Sequence, residues 1–169
     1  MPADDPQIDR SRHSALGDMG LLSGSAPPEF QDRCERIRTQ FRVATVLVNL
    51  VDKDELIVAA RAGIDLGKQP PRHEAFSGYA IRSEEVFVVP DATKDARFTM
   101  HPLVIGEPGV RFYAGAPLIY RRELRLGCLC LFDTAPREFS LGDRAELAEV
   151  TDGLISVLIQ RYTDRFPAR

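Results

Sequence analysis

The chain has 169 residues, of which 44% are apolar and 28% charged, and its formal net charge is −3. This length is typical of one domain, and so small a net charge argues against a nucleic-acid partner. The longest apolar run, 126–132, is far shorter than the roughly 20 residues of a membrane-spanning helix, and no apolar core of a signal peptide follows Met1. We therefore expect a cytoplasmic domain without a membrane partner.

Three cysteines are present: Cys34, Cys128 and Cys130. They do not form a disulfide framework, and C-x-C within a strand is neither a redox C-x-x-C motif nor half of a usual zinc site. The sequence also lacks a nucleophile elbow, a phosphate-binding loop and a histidine pair at metal-ligand spacing. We predict buried thiols, no metal site and no catalytic residues.

The N-terminal third contains a leader, a helix and a hairpin. Residues 1–27 mix Pro, Asp, Ser and Gly without a sustained apolar period, which predicts a flexible leader. From Pro28, apolar residues recur at steps of four, three and four, and this spacing predicts an amphipathic helix. The β-branched run at 43–51 predicts a strand covered on both faces, which turns through charged residues into a second strand at 56–63.

The middle of the chain predicts short elements and a long apolar loop. Residues 73–83 fit a short helix, and we expect Gly78 to allow a close contact between this helix and the sheet. A short strand follows and ends at Pro90, which suits a sheet edge because proline cannot donate to the ladder. Residues 91–109 combine prolines and glycines with many apolar side chains, so this loop must fold onto another part of the protein.

The C-terminal third predicts a second hairpin, from 110–120 to 125–133, and then a helix over 140–165 with a short tail at 166–169. Ser140 with Asp143 resembles a capping box. The helix carries apolar residues along more than one side, which indicates a second partner besides the sheet. As dimer-helix candidates we name Leu147, Leu154 and Leu158.

Three segments make the predicted order of helices and strands more specific: FSGYAIRSEEVFVVPDATKDARF, HPLVIGEPGVRFYAGAPL and LRLGCLCLFDTAPREFSLGD. They resemble the bacterial sensory GAF domains that occur beside histidine kinases and diguanylate cyclases. The resemblance implies an α+β fold: a GAF/PAS-like central antiparallel sheet, with N- and C-terminal helices on one face and a loop-roofed pocket on the other. It implies a single GAF domain over 28–165.

The same resemblance implies that the polar stretch after Pro90 is the rim of a lid. From the residues themselves, we expect Asp91 to cap a turn, Asp95 to pair with Arg97 or Arg111, and Phe98 to fill the space beneath. Direct contact of these charges with a ligand is the alternative. The pocket and lid candidates are Phe76, Tyr79, Asp91, Asp95, Arg97, Phe98, His101, Arg111 and Tyr113.

Several ligands known in such domains fit the sequence poorly. The cyclic-nucleotide signature of the family is broken, since Phe139 and Asp143 are present but Arg144 replaces the glutamate. A covalent bilin needs a thiol in the pocket region, and residues 63–125 contain none. Haem would need His101 or His73 as an axial ligand, although a lone loop histidine is more often solvated or capping. The ligand and any cofactor remain unassigned.

The function expected is that of a non-catalytic sensory or regulatory domain that binds a small molecule, forms a homodimer and signals to an output kinase, cyclase or regulator on another chain. One alternative is a GAF-type free methionine-(R)-sulfoxide reductase, whose chemistry requires accessible thiols of low pKa. Another is a purely structural dimerisation module. The three cysteines lie on apolar stripes, which favours a packing role over reactivity.

Overall fold

A computed structural model describes residues 5–23, 26–121 and 124–167. Parts of the predicted leader, the last two residues of the tail and the centre of the turn of the second hairpin lie outside the described residues. The strands are β1 Thr45–Asp52, β2 Glu55–Gly63, β3 Phe87–Val89, β4 Phe112–Arg121 and β5 Leu124–Asp133. The helices are α1 Pro6–Asp18, α2 Pro28–Phe41, α3 Phe76–Ala80, α4 Pro102–Ile105 and α5 Leu141–Arg165.

The five strands form one antiparallel sheet in the order β2-β1-β5-β4-β3. The two predicted hairpins are confirmed, and they meet through β1 and β5 at the centre of the sheet. The short strand β3 lies at one edge, where Pro90 just beyond it removes no ladder hydrogen bond. The fold is therefore the predicted α+β arrangement, with a sheet whose two faces carry different side chains.

One face of the sheet, which we call the helix face, is covered by α1, α2 and α5. Alternate residues of the strands point to this face, as the period of two requires, and they pack against the apolar stripe predicted for α2. The main contributors from the strands and α2 are Val46, Val48, Leu50, Phe112, Ala114, Leu129, Leu131, Phe30, Cys34, Ile37 and Phe41.

Helix α5 begins with the predicted capping box, in which Ser140 and Asp143 exchange side-chain and backbone hydrogen bonds. The three proposed dimer residues on this helix, however, face the sheet: Leu147, Leu154 and Leu158 are at most 1% exposed and belong to the main core. Their assignment to a dimer seam is wrong. The leucine stripe of the helix, joined by Ile155, supplies the core contact.

The prediction of a flexible leader is also wrong for most of its length. Residues 6–18 form α1, which Asp5 caps by accepting a hydrogen bond from the backbone of Gln7 at 2.8 Å. Leu16 and the following Met19 and Leu21 are buried in the main core. These apolar residues have no helical period, so the sequence pattern could not distinguish a docked helix from a linker.

Buried ion pairs fix α1 against the rest of the domain. Asp9 accepts hydrogen bonds from Arg12 at 2.7 Å and from Arg72 at 2.9 Å, while Nε of Arg12 donates to the carbonyl oxygen of Arg125 at 2.6 Å. Desolvation opposes ionisation of Asp9, but the hydrogen bonds from the two guanidinium groups lower its pKa. The N-terminal helix is thus tied to the loop that leads into α3.

Helix α3 is shorter than the predicted segment 73–83, because the residues before Phe76 form turns. A Cβ atom on Gly78 would lie only 1.8 Å from the carbonyl oxygen of Arg72. The glycine therefore allows close approach to the preceding loop and not, as predicted, to the sheet. No helix within the described ranges is long and apolar enough to cross a membrane.

Candidate functional site

The second face of the sheet, which we call the lid face, is covered by α3 and by the loop that connects β3 to β4. This loop, residues 90–111, contains a 3₁₀ turn at Ala92–Lys94 and the short helix α4. Its apolar side chains Phe98, Leu103, Val104 and Val110 are buried against the sheet. The long apolar loop does fold onto the domain, as its composition requires.

The charged residues at the start of the loop stabilise its shape. Asp91 caps the 3₁₀ turn by accepting a hydrogen bond from the backbone of Thr93 at 3.0 Å. Asp95 binds Arg97 through two contacts, at 2.9 and 2.6 Å, and this hydrogen bonding lowers the pKa of Asp95. Of the two partners predicted for Asp95, the structure therefore selects Arg97.

Arg111 has a different role from the predicted pairing with Asp95. Its guanidinium group donates to the carbonyl oxygens of Val104, at 2.9 Å, and of Val110, at 3.1 Å. These contacts join the far end of the loop to the residue that precedes β4. The side chain of Arg111 thus stabilises the loop by binding its backbone carbonyl groups.

The candidates Tyr79 and Arg97 form the outer rim of the lid together with Arg82 and Phe87. The guanidinium carbon of Arg97 lies 4.9 Å from the ring centroid of Phe87, and that of Arg82 lies 4.1 Å from the ring of Tyr79. Tyr79 and Phe87 stack with their centroids 6.0 Å apart. Such cation–π contacts are worth about 0.5–1 kcal/mol at exposed sites, so the rim is a weakly held edge.

Beneath the rim, four predicted residues come together in one aromatic cluster. The ring of Phe76 stacks on Phe98 at a centroid distance of 4.2 Å and on Tyr113 at 4.9 Å, and it lies 4.7 Å from the imidazole of His101. Phe132 completes the cluster with an edge-on contact to Phe76 at 5.8 Å. We call the space between the lid and the sheet the chamber. It is filled by these aromatic rings.

His101 presents a hydrogen-bond donor to this chamber. Its Nδ1 atom accepts the backbone N–H of Leu103 at 3.1 Å and so caps α4. Burial lowers the pKa of His101, which keeps the imidazole neutral, and the remaining proton must then be on Nε2. That Nε2 atom is buried and has no hydrogen-bond partner.

A second group of polar atoms lies on the sheet below the rings. The amide nitrogen of Asn49 donates to Ser77 at 2.9 Å, and the Ser77 hydroxyl lies 3.4 Å from the sulfur of Cys130. The hydroxyl of Tyr113 lies 3.2 Å from Cys130 and 3.7 Å from Cys128. The Oδ1 atom of Asn49, which is completely buried, has no partner.

Glycine makes this arrangement sterically possible. A Cβ atom on Gly115 would lie 2.2 Å from the hydroxyl of Tyr113, so any larger residue would displace the tyrosine from the thiols. Desolvation raises the pKa of the Tyr113 hydroxyl well above its ordinary value. The tyrosine is therefore neutral and can either donate or accept a hydrogen bond.

The site thus combines flat apolar surfaces with one unpartnered buried donor at His101 and one unpartnered buried acceptor at Asn49. Such a set can stack on a small planar molecule and fix its orientation through two polar contacts. The described residues that line the chamber include no charged side chain. Across the part of the chain that the structure describes, no three His, Cys, Asp or Glu residues are close enough to hold a metal ion.

Sequence reasoning found most of the aromatic members of the site but missed Phe87 and Phe132. It also missed Asn49, Ser77 and the role of the two strand cysteines. The cysteines and Asn49 lie on covered strands, where apolar burial on both faces hides the direction of a single polar side chain. The C-x-C spacing does place both thiols on one face of a strand, and this was the available indication.

The fold and this site define the chain's class. The GAF domain family matches residues 28–157, and the chain belongs to this family. A solved GAF domain from an Acinetobacter phosphoenolpyruvate-protein phosphotransferase is 15% identical, with a TM-score of 0.66 over 95% of this chain and 98% of that one. A free methionine-R-sulfoxide reductase from Neisseria meningitidis is 18% identical, with a TM-score of 0.65 over 94% and 87% of the two chains. At these identities the two structures show the shared fold alone.

A more similar sequence is a protein named as a cyclic di-GMP phosphodiesterase from Pseudomonas aeruginosa. It is 39% identical over 132 residues, which are 78% of this chain and 22% of the relative. The chain thus spans about a fifth of that curated relative, so the similarity concerns one segment of a much longer protein.

Proposed function

We propose that this GAF domain is a non-catalytic sensory module that binds a small molecule in the chamber between the lid and the sheet. The observation that carries the proposal is the pair of buried, unpartnered polar atoms, Nε2 of His101 and Oδ1 of Asn49, beside stacked aromatic rings. An unpaired buried polar group costs about 1–3 kcal/mol. A ligand that supplies the missing partners recovers this free energy.

Ligand entry has to move the lid, because the rings of Phe76 and Phe98 fill the chamber when it is closed. The rim resists this motion through a partly exposed ion pair, cation–π contacts and one ring stack, which are individually weak. Binding of a ligand in the chamber therefore moves the loop. This movement is the signal that the domain transmits.

The output in this proposal is an effector on a partner chain or on a linked segment. The relative named as a cyclic di-GMP phosphodiesterase makes turnover of cyclic di-GMP the first output to test. A kinase or another regulator is the alternative. Addition of the domain to such an effector should change its rate only when the chamber residues are intact.

Homodimerisation belongs to the same proposal, with a corrected surface. A groove runs along the outer sides of α2 and α5, where Arg33 and Arg36 of α2 face Glu146 and Glu149 of α5. In a two-fold arrangement, α2 of one copy can lie against α5 of the other, so that opposite charges meet. Val157, half-buried on the same outer side of α5, supplies apolar contact.

The decisive experiment for the ligand compares the native mass of the purified protein with its denatured mass. A bound molecule from the host appears as excess mass in the native spectrum, and Asn49→Leu, which removes the acceptor, should abolish it. Ser83→Ala is the matched control outside the chamber. The absence of excess mass, together with no thermal stabilisation by a panel of small planar compounds, would identify a structural dimerisation module instead.

Two further measurements complete the test. Sedimentation should show a dimer for the native chain and a monomer for Val157→Arg; a native chain that is monomeric at tens of micromolar, roughly the concentration usual for such modules, contradicts the dimer. Turnover of free methionine-(R)-sulfoxide that is lost in Cys128→Ser would replace the sensor with the reductase. Burial of both strand cysteines supports the sensor over the reductase, because a substrate as large as methionine sulfoxide cannot reach the thiols while the lid is closed.

A further inference from the structure

The sulfur atoms of Cys128 and Cys130 lie 3.2 Å apart in the interior of the lid face. Both residues are completely buried, and both side chains project from the same side of β5 because they are two residues apart. Two sulfurs this close are in direct contact. Packing of an apolar core does not require such a pair.

The surroundings of the thiol pair are polar rather than apolar. The hydroxyls of Tyr113 and Ser77 contact Cys130 at 3.2 and 3.4 Å, and the amide of Asn49 lies 4.0 Å from the same sulfur. The unpartnered Oδ1 atom of Asn49 is a second, independent indication that the arrangement serves more than packing. Polar groups around a thiol can stabilise a thiolate and donate protons to a leaving group.

The two thiols are not equivalent. Desolvation opposes ionisation of Cys128, but hydrogen bonds from Cys130, Ser77 and Tyr113 lower its pKa. Desolvation, followed by the contact with Cys128, raises the pKa of Cys130 well above its ordinary value. Since the two sulfur atoms lie 3.2 Å apart, the second thiol is in position to react once the first has been oxidised.

We propose that Cys128 and Cys130 form a reversible redox pair that hydrogen peroxide oxidises to a disulfide within β5. The Cys128 thiolate attacks one peroxide oxygen, the O–O bond breaks, and the released hydroxide takes up a proton to leave as water. The Cys130 sulfur then attacks the resulting sulfenic sulfur, the S–O bond breaks, and a second water leaves. The two sulfurs together lose two electrons, which reduce the peroxide.

The geometry of a strand makes the oxidised pair easy to reduce. Residues two apart on a strand have Cα atoms about 6.6 Å apart, at the upper end of the range of roughly 4.4–6.8 Å that disulfides span. A bond at this limit is strained, and strained disulfides are the labile ones. The pair is therefore suited to cycling rather than to permanent cross-linking.

Oxidation also changes the contacts that hold the site together. Bond formation draws the two sulfurs together and removes both thiol protons, so the contacts of Cys130 with the hydroxyls of Tyr113 and Ser77 must change. Ser77 lies on α3 and Tyr113 on β4, so the change reaches both the roof and the floor of the chamber. This proposal stands whether or not the chamber binds a small molecule.

Peptide mapping tests the proposal directly. Reduced native protein is exposed to hydrogen peroxide, denatured, alkylated and digested with trypsin, which releases residues 126–137 as one peptide with Cys128 and Cys130 and without Cys34. We expect this peptide to lose the mass of two hydrogen atoms, to resist alkylation and to recover both thiols with dithiothreitol. A peptide that remains doubly alkylated, under conditions that oxidise it in the denatured protein, overturns the proposal.

Variants assign the order of reaction. In Cys130→Ser the resolving thiol is absent, so dimedone should trap a sulfenic acid at Cys128, while Cys34→Ser should behave as the native chain. Oxidation that proceeds to sulfinic acid in the native protein without a disulfide also refutes the pair. If Cys130→Ser does not fold, the native peptide alone decides the question.

Discussion

The two faces of the sheet differ in what they bury. The helix face is a continuous apolar core that is mostly aliphatic, with Phe30, Phe41 and Phe112 as its aromatic members, and its buried Arg12 is hydrogen-bonded. The lid face is aromatic and contains two thiols, a tyrosine, an asparagine and a histidine, two of which have unpartnered polar atoms. The same strands form both faces, because successive residues point in opposite directions.

This difference indicates which face provides stability and which provides response. The large helix-face core is lost only by global unfolding, whereas a loop that is held by one smaller apolar cluster and a few hydrogen bonds opens locally at a lower free energy. Unpartnered polar groups lower stability wherever they are buried. The two unpartnered atoms of His101 and Asn49 both lie on the lid face, which supports the assignment of the sensory role to that face.

The largest effect expected is on the helix face. Leu154→Arg or Leu158→Arg places a charge in the core where each leucine is at most 1% exposed. Replacement of a buried leucine by alanine already costs about 2–5 kcal/mol, and an unpaired buried charge costs more. We expect loss of the cooperative urea transition, not a folded monomer. Asp152→Arg, on the exposed side of α5, should keep the native transition.

The second prediction concerns the attachment of α1. Asp9→Asn removes the carboxylate that pairs with Arg12 and Arg72, so two buried cations lose their common partner. We expect a loss of roughly 2–3 kcal/mol in the free energy of unfolding, less than for a fully buried pair because the Asp9 side chain is 25% exposed. Asp18→Asn, at the exposed end of the same helix, should have no measurable effect.

The pH dependence follows from the direction of the Asp9 shift. Since the folded pKa lies below the unfolded value of about 3.9, the contribution of Asp9 is present above that pH and is lost as the pH falls through the folded pKa. The stability difference between the native chain and Asp9→Asn should therefore shrink below about pH 4. A difference that stays constant down to pH 2, roughly two units below the unfolded value, contradicts the ion-pair explanation.

The third prediction compares thiols on the two faces. Burial raises the pKa of Cys34 on the helix face to about 12, and the cysteine is reached only by unfolding of the core. Cys128 and Cys130 are equally buried but lie under the lid. We expect maleimide labelling of the native protein to be slow at all three and fast after denaturation. The strand pair should nevertheless react at least tenfold faster than Cys34, which corresponds to about 1.4 kcal/mol in the opening free energy. Equal rates would mean that the lid opens only with the whole domain.

The smallest effect expected is at the lid rim. Arg97→Ala removes the exposed pair with Asp95 and the contact with Phe87, which together are worth about 1 kcal/mol. Amide exchange across 91–109 should accelerate several-fold, while β1 remains unchanged. Arg61→Ala, which removes an exposed pair outside the lid, is the control. If residues 91–109 are already as protected as β1 and the substitution alters neither, the segment is a rigid turn rather than a lid.

The sequence by itself determined the elements whose formation depends on local pattern. Period-two and helical spacings located the two hairpins, the edge strand, α2 and α5, and Ser140 with Asp143 located the start of α5. The capping role of Asp91 could also be predicted from the sequence, because the hydrogen bond joins residues only two positions apart. The family resemblance then predicted their arrangement in space, with helices on one face of a central antiparallel sheet and a loop over the other face.

Only the tertiary structure decided which side of α5 faces the sheet, whether α1 docks, and where Asn49 points. Two apolar stripes on one helix are equivalent until a sheet covers one of them, and α1 is held by guanidinium groups whose partners lie 60 or more residues away in the chain. The contact between Cys128 and Cys130 was implied by their spacing, but its polar surroundings come from β1, β4 and α3 together. Long-range contacts of this kind leave no local period, because each is formed by a single residue from a separate element.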